Sequence, residues 1–166
     1  MNETQTFEFA YLPRNVDELQ TLPEAALSTP YQTAALTVAV LCHYGDNPQE
    51  AVEMLNYLKG PQALSNYELQ FLRDRLVGKT YKPFSFLGGA TTQNNYTPTQ
   101  PYQITIFEGP YSFQEAGYAK LMILSSGADN PREIKLREKP SSGQWFLWEN
   151  YLLSDIREPK SADPWG

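Results

Sequence analysis

The stretch YAKLMILSSGADNPREIKLREKPSSGQWFLWEN, residues 118–150, decides the fold class. Within it Ile134 and Leu136 alternate with Lys135 and Arg137, the period of a strand with one dry face. The preceding run, YAKLMIL, is more continuously apolar. The following one, QWFLWENYLL, is apolar on both faces. KPSSGQ between the last two runs reads as a hairpin turn in which Gly143 supplies a positive φ. Just upstream, YQITIF at 102–107 sets Tyr102, Ile104 and Ile106 against Gln103, Thr105 and Phe107. Four strands follow one another without a helical period, which predicts an antiparallel meander over 102–156.

The half before the meander reads differently. Three helices carry clear start and stop signals. TPYQTAALTVAVLCHYG opens with Thr29 as N-cap, Pro30 at the first helical position and Gln32 closing a capping box, and it stops at Gly45. NPQEAVEMLNYLKGP repeats that grammar with Asn47, Pro48 and Glu50, and Gly60-Pro61 ends it. SNYELQFLRDRLVG runs from Ser65 and Glu68 to Gly78. The first helix is apolar nearly all round, so it belongs at the centre of the fold. The other two carry narrower stripes, Ala51, Val52, Met54, Leu55 and Leu58 in one, Leu69, Leu72 and Leu76 in the other.

Before the helices, TFEFAYL alternates as a short half-buried strand, and one or two helical turns are expected between Asn15 and Pro23. Residues 79–101, rich in Gly, Pro, Asn, Thr and aromatics, form an ordered but irregular crossing; connections of this length in compact domains are often functional. Residues 157–166 are a polar tail. The expected organisation is one α+β domain, with 1–78 mainly helical and packed on the four-stranded meander.

Composition narrows the function. The formal charge of −6 and the absence of any run of Lys or Arg argue against nucleic-acid binding, which draws much of its affinity from cations on phosphates. No apolar run approaches the ~18 residues of a membrane span, and the first residues lack the pattern of a secretory signal. The expectation is a cytoplasmic protein that binds neither nucleic acid nor membrane. The acceptor patterns at Asn2 and Asn95 then carry no meaning. A single cysteine, Cys42, rules out an internal disulfide.

Standard chemistries are missing. One Cys and one His, adjacent, cannot furnish a structural zinc site. No P-loop, dinucleotide fingerprint, HExxH or GxSxG occurs, so no catalytic residue, metal ligand or cofactor is assigned. His43 reads as a last-turn histidine placed to suit the helix dipole, and Cys42 as a small core residue. Asp129 with Glu133, or Asp155 with Glu158, are carboxylate pairs that the sequence does not bring together in space.

Two places remain as candidate binding sites. Residues 125–133, SSGADNPRE, are more than a hairpin reversal needs, and the bend from Gly127 to Arg132 is expected to protrude from the rim of the sheet. Gly127, Asp129, Asn130 and Pro131 are turn formers, enough for a purely structural connection. Arg132 and Arg137, with Asp129, add either an ion network or a planar fork for a carboxylate or phosphate. The second place is aromatic. Trp145 and Trp148, three apart, fall on opposite faces of a strand. One is expected to pack on the helices. The other is left for the crossing, for Trp165 or for a partner, with Arg157 near.

The motifs GGATTQNNYTP, SSGADNPREIKLREKPSSGQWFLWENYLLSDIREP and the closing PWG, together with LSTPYQTAALTVAVLC and MLNYLKGPQALSNYELQFLRDR, are long and specific. On them the chain resembles a family of small bacterial proteins classed only as a domain of unknown function. The likeness runs over nearly the whole chain and implies a complete single-domain protein, with no activity, cofactor or residue role attached. Function is therefore expected from the residues alone: a non-catalytic protein-interaction module using Asp129, Arg132, Arg137, Trp148, Arg157 and Trp165. The alternative is a small-ligand binder or enzyme with a pocket between sheet and helices. The protein partner and the oligomeric state are not named by the sequence.

Overall fold

The computed structural model describes residues 3–166; Asn2 lies outside them. The chain runs β1 (Thr4–Phe9), α1 (Val16–Gln20), α2 (Pro30–Leu41), α3 (Pro48–Lys59), α4 (Asn66–Leu76), β2 (Tyr102–Glu108), β3 (Tyr118–Ile123), β4 (Arg132–Lys139) and β5 (Gln144–Asn150). Short 3₁₀ turns lie at Pro23–Ala26, Lys82–Phe86 and Lys160–Ala162. The class is α+β, with two corrections to the expected count. The sheet has five strands in the order β1-β2-β3-β4-β5, and α1 adds a fourth helix. The alternation of Phe7 and Phe9 marks β1 as a strand. Its partner is not readable, because Phe9 pairs with Tyr102 and Thr4 with Phe107 across the whole helical half.

Each long helix starts as its caps dictate, with instructive differences. Ser65 and Glu68 form a full reciprocal capping box on α4. On α2 the Thr29 hydroxyl accepts from the Gln32 amide, but the Gln32 side chain takes the Ser28 amide instead of closing a box on Thr29. On α3 the Asn47 side chain accepts from the Glu50 amide, and the Glu50 carboxylate turns to His43. α2 stops at Leu41, and turns carry the chain past Gly45 to α3.

α2 lies against the inner face of the sheet and is buried along almost its whole length. Its Leu36, Val38, Val40 and Leu41 meet Ile104, Ile106, Leu121, Ile134, Leu136 and Leu147 in one core. Each such side chain contributes roughly 1.5–3 kcal/mol by leaving water. The two threonines of α2 are satisfied within it: Thr33 Oγ1 donates to the Trp145 carbonyl at 2.6 Å and Thr37 Oγ1 to the Thr33 carbonyl at 2.8 Å. α3 packs against α2, α1 and β5. The outer face of the sheet is largely open, with Thr6, Gln103, Thr105 and Lys120 exposed on it.

Candidate functional site

The 125–133 connection does not protrude as a whole. Ser125 and Gly127 are buried, while Asp129, Asn130 and Pro131 stand in solvent. Ser125 Oγ meets Ser85 Oγ at 2.7 Å, and the Ser126 amide donates to the Ser85 carbonyl at 2.9 Å. On the other side, the Gly127 carbonyl accepts from the Arg157 amide at 2.9 Å. Tyr96, stacked on Tyr81 with centroids 5.7 Å apart, donates its hydroxyl to the Arg157 carbonyl. The extra residues thus lace the irregular crossing to the segment after β5. Gly127 is glycine because there is no room for more: a Cβ there would run into the Tyr96 hydroxyl and Ile156.

Arg132 is spent in the same joint. Its guanidinium donates to the carbonyls of Ser154 (2.8 Å), Asn130 (3.0 Å) and Asp155 (3.1 Å). Asp129 pairs with Arg157 at 3.0 Å, both exposed, so the pair adds little stability in water. Trp165 is 94% exposed and covers neither of the other tryptophans. It shares a shallow depression with Arg157.

Arg137 and Trp148 do come together, away from Arg132. β4 and β5 keep register at Leu136 and Leu147 and again at Lys135 and Glu149, which leaves Trp148 as the extra residue of a bulge. Leu147 faces the core, so the next residue, Trp148, turns its ring onto the outer face. There it meets Tyr118 edge-on, centroids 5.9 Å apart, while Trp145 on the opposite side packs against the core. The Arg137 guanidinium lies 4.7 Å from the Trp148 centroid and 5.6 Å from that of Tyr118, a stacking that suits its weakly hydrated plane. It makes no hydrogen bond or ion pair among the described residues. Beside it opens a groove of about 270 Å³ walled by Pro61, Pro140, Phe146 and Trp148, with Lys59 and Lys139 at its margins.

Lys59 of this groove, and its neighbours Gly60 and Tyr118, have parts here that were not legible in the sequence. Lys59 ends α3, is 9% exposed, and is held by Glu68 at 2.9 Å and the Trp148 carbonyl at 3.2 Å. Gly60 follows with φ +70 and lies so close to the Phe146 ring that a Cβ would collide with it. Tyr118 is signalled only by its cross-strand register with Arg137.

A family model matches residues 11–160. The chain belongs to the family described as a domain of unknown function, DUF6935. The match takes in all four helices, β2 to β5 and the Arg137–Trp148 groove, and leaves β1 and Trp165 outside. No curated protein and no solved structure matches the chain. Among the described residues no helix is long and apolar enough to cross a membrane, and no group of three or more His, Cys, Asp or Glu side chains is placed to hold a metal ion. The family description names no activity, so the side chains have to supply the argument.

Proposed function

We propose that this family member is a non-catalytic interaction module of the cytoplasm. It takes hold of a protein partner through the groove beside Arg137, Phe146 and Trp148. The observation that carries the reading is the state of Arg137: a guanidinium seated over the Trp148 and Tyr118 rings, with no hydrogen bond or ion pair among the described residues. A preordered arginine fork beside an apolar groove suits a segment that presents a carboxylate next to an apolar side chain. Lys139 adds charge of the same sign at the groove margin, while Lys59 is paired with Glu68 and Glu138 also lines the groove. Trp148 supplies a rigid anchor at low entropic cost.

The test uses the ¹⁵N-labelled domain and two short peptides, one with Glu beside Phe and Leu, the other with Gln in place of each Glu. The acidic peptide is expected to shift the Trp148 indole and Arg137 side-chain signals in a saturable way, and Arg137→Ala to abolish those shifts. Equal response to both peptides, or shifts that map away from the groove, would overturn the proposal.

A further inference from the structure

On the far side of the molecule, where β1 leads into α1, lies an open cleft of about 610 Å³, within the range that holds small ligands. Tyr11, Phe84 and Tyr102 form its apolar wall; Arg14, Glu18, His43 and Asp46 are its charged or titratable groups. His43 is the decisive member. It is 8% exposed, and its Nε2 lies 2.8 Å from Glu50 Oε1. Glu50 Oε1 can only accept, so Nε2 carries a proton, and in the neutral tautomer Nδ1 is then an acceptor. Nδ1 has no hydrogen-bond partner; the nearest charged atom is Asp46 Oδ2, at 3.9 Å. Among the described residues no fully buried side-chain nitrogen or oxygen lacks a partner. Nδ1 therefore keeps contact with solvent, in the cleft that His43 lines.

The remaining groups set the sign of the ligand. Arg14 is bound by Glu18, its guanidinium donating to Oε1 at 3.2 Å and Oε2 at 2.8 Å, and that pair is neutral together. The bond to Arg14 holds the Glu18 carboxyl below its ordinary range, so it stays ionised. Asp46 has no hydrogen-bonded cation, and Glu50 lies behind His43. The Tyr11 and Thr21 hydroxyls are engaged with one another. Arg14, Glu18 and Asp46 together leave net negative charge on the cleft, carried by the exposed Asp46 carboxylate beside aromatic rings.

We propose that this cleft binds a small organic cation through its primary ammonium group, which donates to His43 Nδ1 and the Asp46 carboxylate while its hydrocarbon stem lies on Tyr11, Phe84 and Tyr102. Aromatic walls favour such a cation over a neutral molecule of the same shape. The site is independent of the Arg137 groove.

The probe is n-butylammonium chloride, titrated into the ¹⁵N-labelled domain, with n-butanol, sodium butyrate and tetramethylammonium chloride as controls. Butylammonium is expected to shift the Tyr11, His43, Asp46 and Tyr102 signals in a saturable way. Tetramethylammonium, which cannot donate, and butanol are expected to bind at least several-fold more weakly, and butyrate not to bind. Asp46 is exposed on a turn, so Asp46→Asn keeps the fold; it is expected to weaken butylammonium about tenfold, the loss of one charge-assisted hydrogen bond. Tyr11→Ala, also at an exposed side chain, is expected to weaken it less. Butanol or tetramethylammonium binding as tightly as butylammonium would overturn the proposal. So would an unchanged titration in Asp46→Asn, or no saturable shift in the cleft.

Discussion

Gly127→Ala is expected to destabilise the domain by about 3 kcal/mol. A Cβ at this position would collide with the Tyr96 hydroxyl and come within 2.8 Å of Ile156 Cγ2. Neither neighbour has anywhere to go. Tyr96 is 2% exposed, stacked on Tyr81, and bonded through its hydroxyl to the Arg157 carbonyl. Overpacking of a filled site costs ~1–3 kcal/mol, and the displaced hydrogen bond about 1 kcal/mol more. For a domain of this length that loss lowers Tm by about 6–12 °C. Thermal unfolding followed by circular dichroism reads it directly. Gly117→Ala serves as the control: its φ is +82 and no atom lies within 4 Å of a built Cβ, so only left-handed strain of about 1 kcal/mol is expected. Tyr96→Phe removes the colliding oxygen. In Gly127→Ala/Tyr96→Phe the combined loss should fall clearly short of the sum of the single losses. A Gly127→Ala protein that melts within ~2 °C of the wild type, or strict additivity in the cycle, would refute the sealed joint.

Four further outcomes are expected. Arg132→Ala should cost about 2–3 kcal/mol in urea unfolding, since three backbone carbonyls lose a charged donor; Arg132→Lys should restore only part, because one ammonium does not reproduce the fork. Arg137→Ala should cost less than about 1 kcal/mol in the same assay, an exposed stack being worth little to the fold. Ser65→Ala should lose about 1 kcal/mol by opening the α4 capping box. Stability should also fall as pH rises above 9. Burial pushes the Cys42 thiol far above its ordinary 9.0, and burial likewise raises Tyr31, Tyr44, Tyr81 and Tyr96 above 10.0. The unfolded chain then ionises first, and Cys42 alone removes about 1.4 kcal/mol per pH unit once its unfolded pKa is passed. Lys82, lowered from 10.5 by burial, works in the opposite sense but is a single group. A Tm that holds steady between about pH 9 and 11 would contradict this.

The helical half was readable because its signals are local. Thr29, Asn47 and Ser65 satisfy amides only three residues away, so short windows of sequence contain the whole interaction. The strands from 102 onward were readable by their alternation. β1 was recognisable as a strand, but its place in the sheet was not, since its pairing depends on residues far along the chain. The site list shows the same divide. Arg132 looked free because its acceptors are backbone carbonyls, which side-chain chemistry does not announce. Arg137 and Trp148 share the outer face by plain alternation, but their contact depends on the β4–β5 register, which the sequence does not show. His43 was read as a last-turn residue, but α2 stops at Leu41 and His43 lies in the turn beyond it; its exposed Nδ1 follows from the reach of Glu50 back from α3, which no spacing rule specifies.

The pairing of Phe9 with Tyr102 also has a kinetic side. During synthesis the first strand leaves the ribosome early, and the strand it zips to is made about 90 residues later, a delay of ~5–20 s at ordinary elongation rates. Throughout that interval Phe7 and Phe9 are sticky and unmatched, whereas each hairpin of β3, β4 and β5 closes with a neighbour just translated. The amino-terminal strand therefore waits unpaired until β2 has been made, after all four helices.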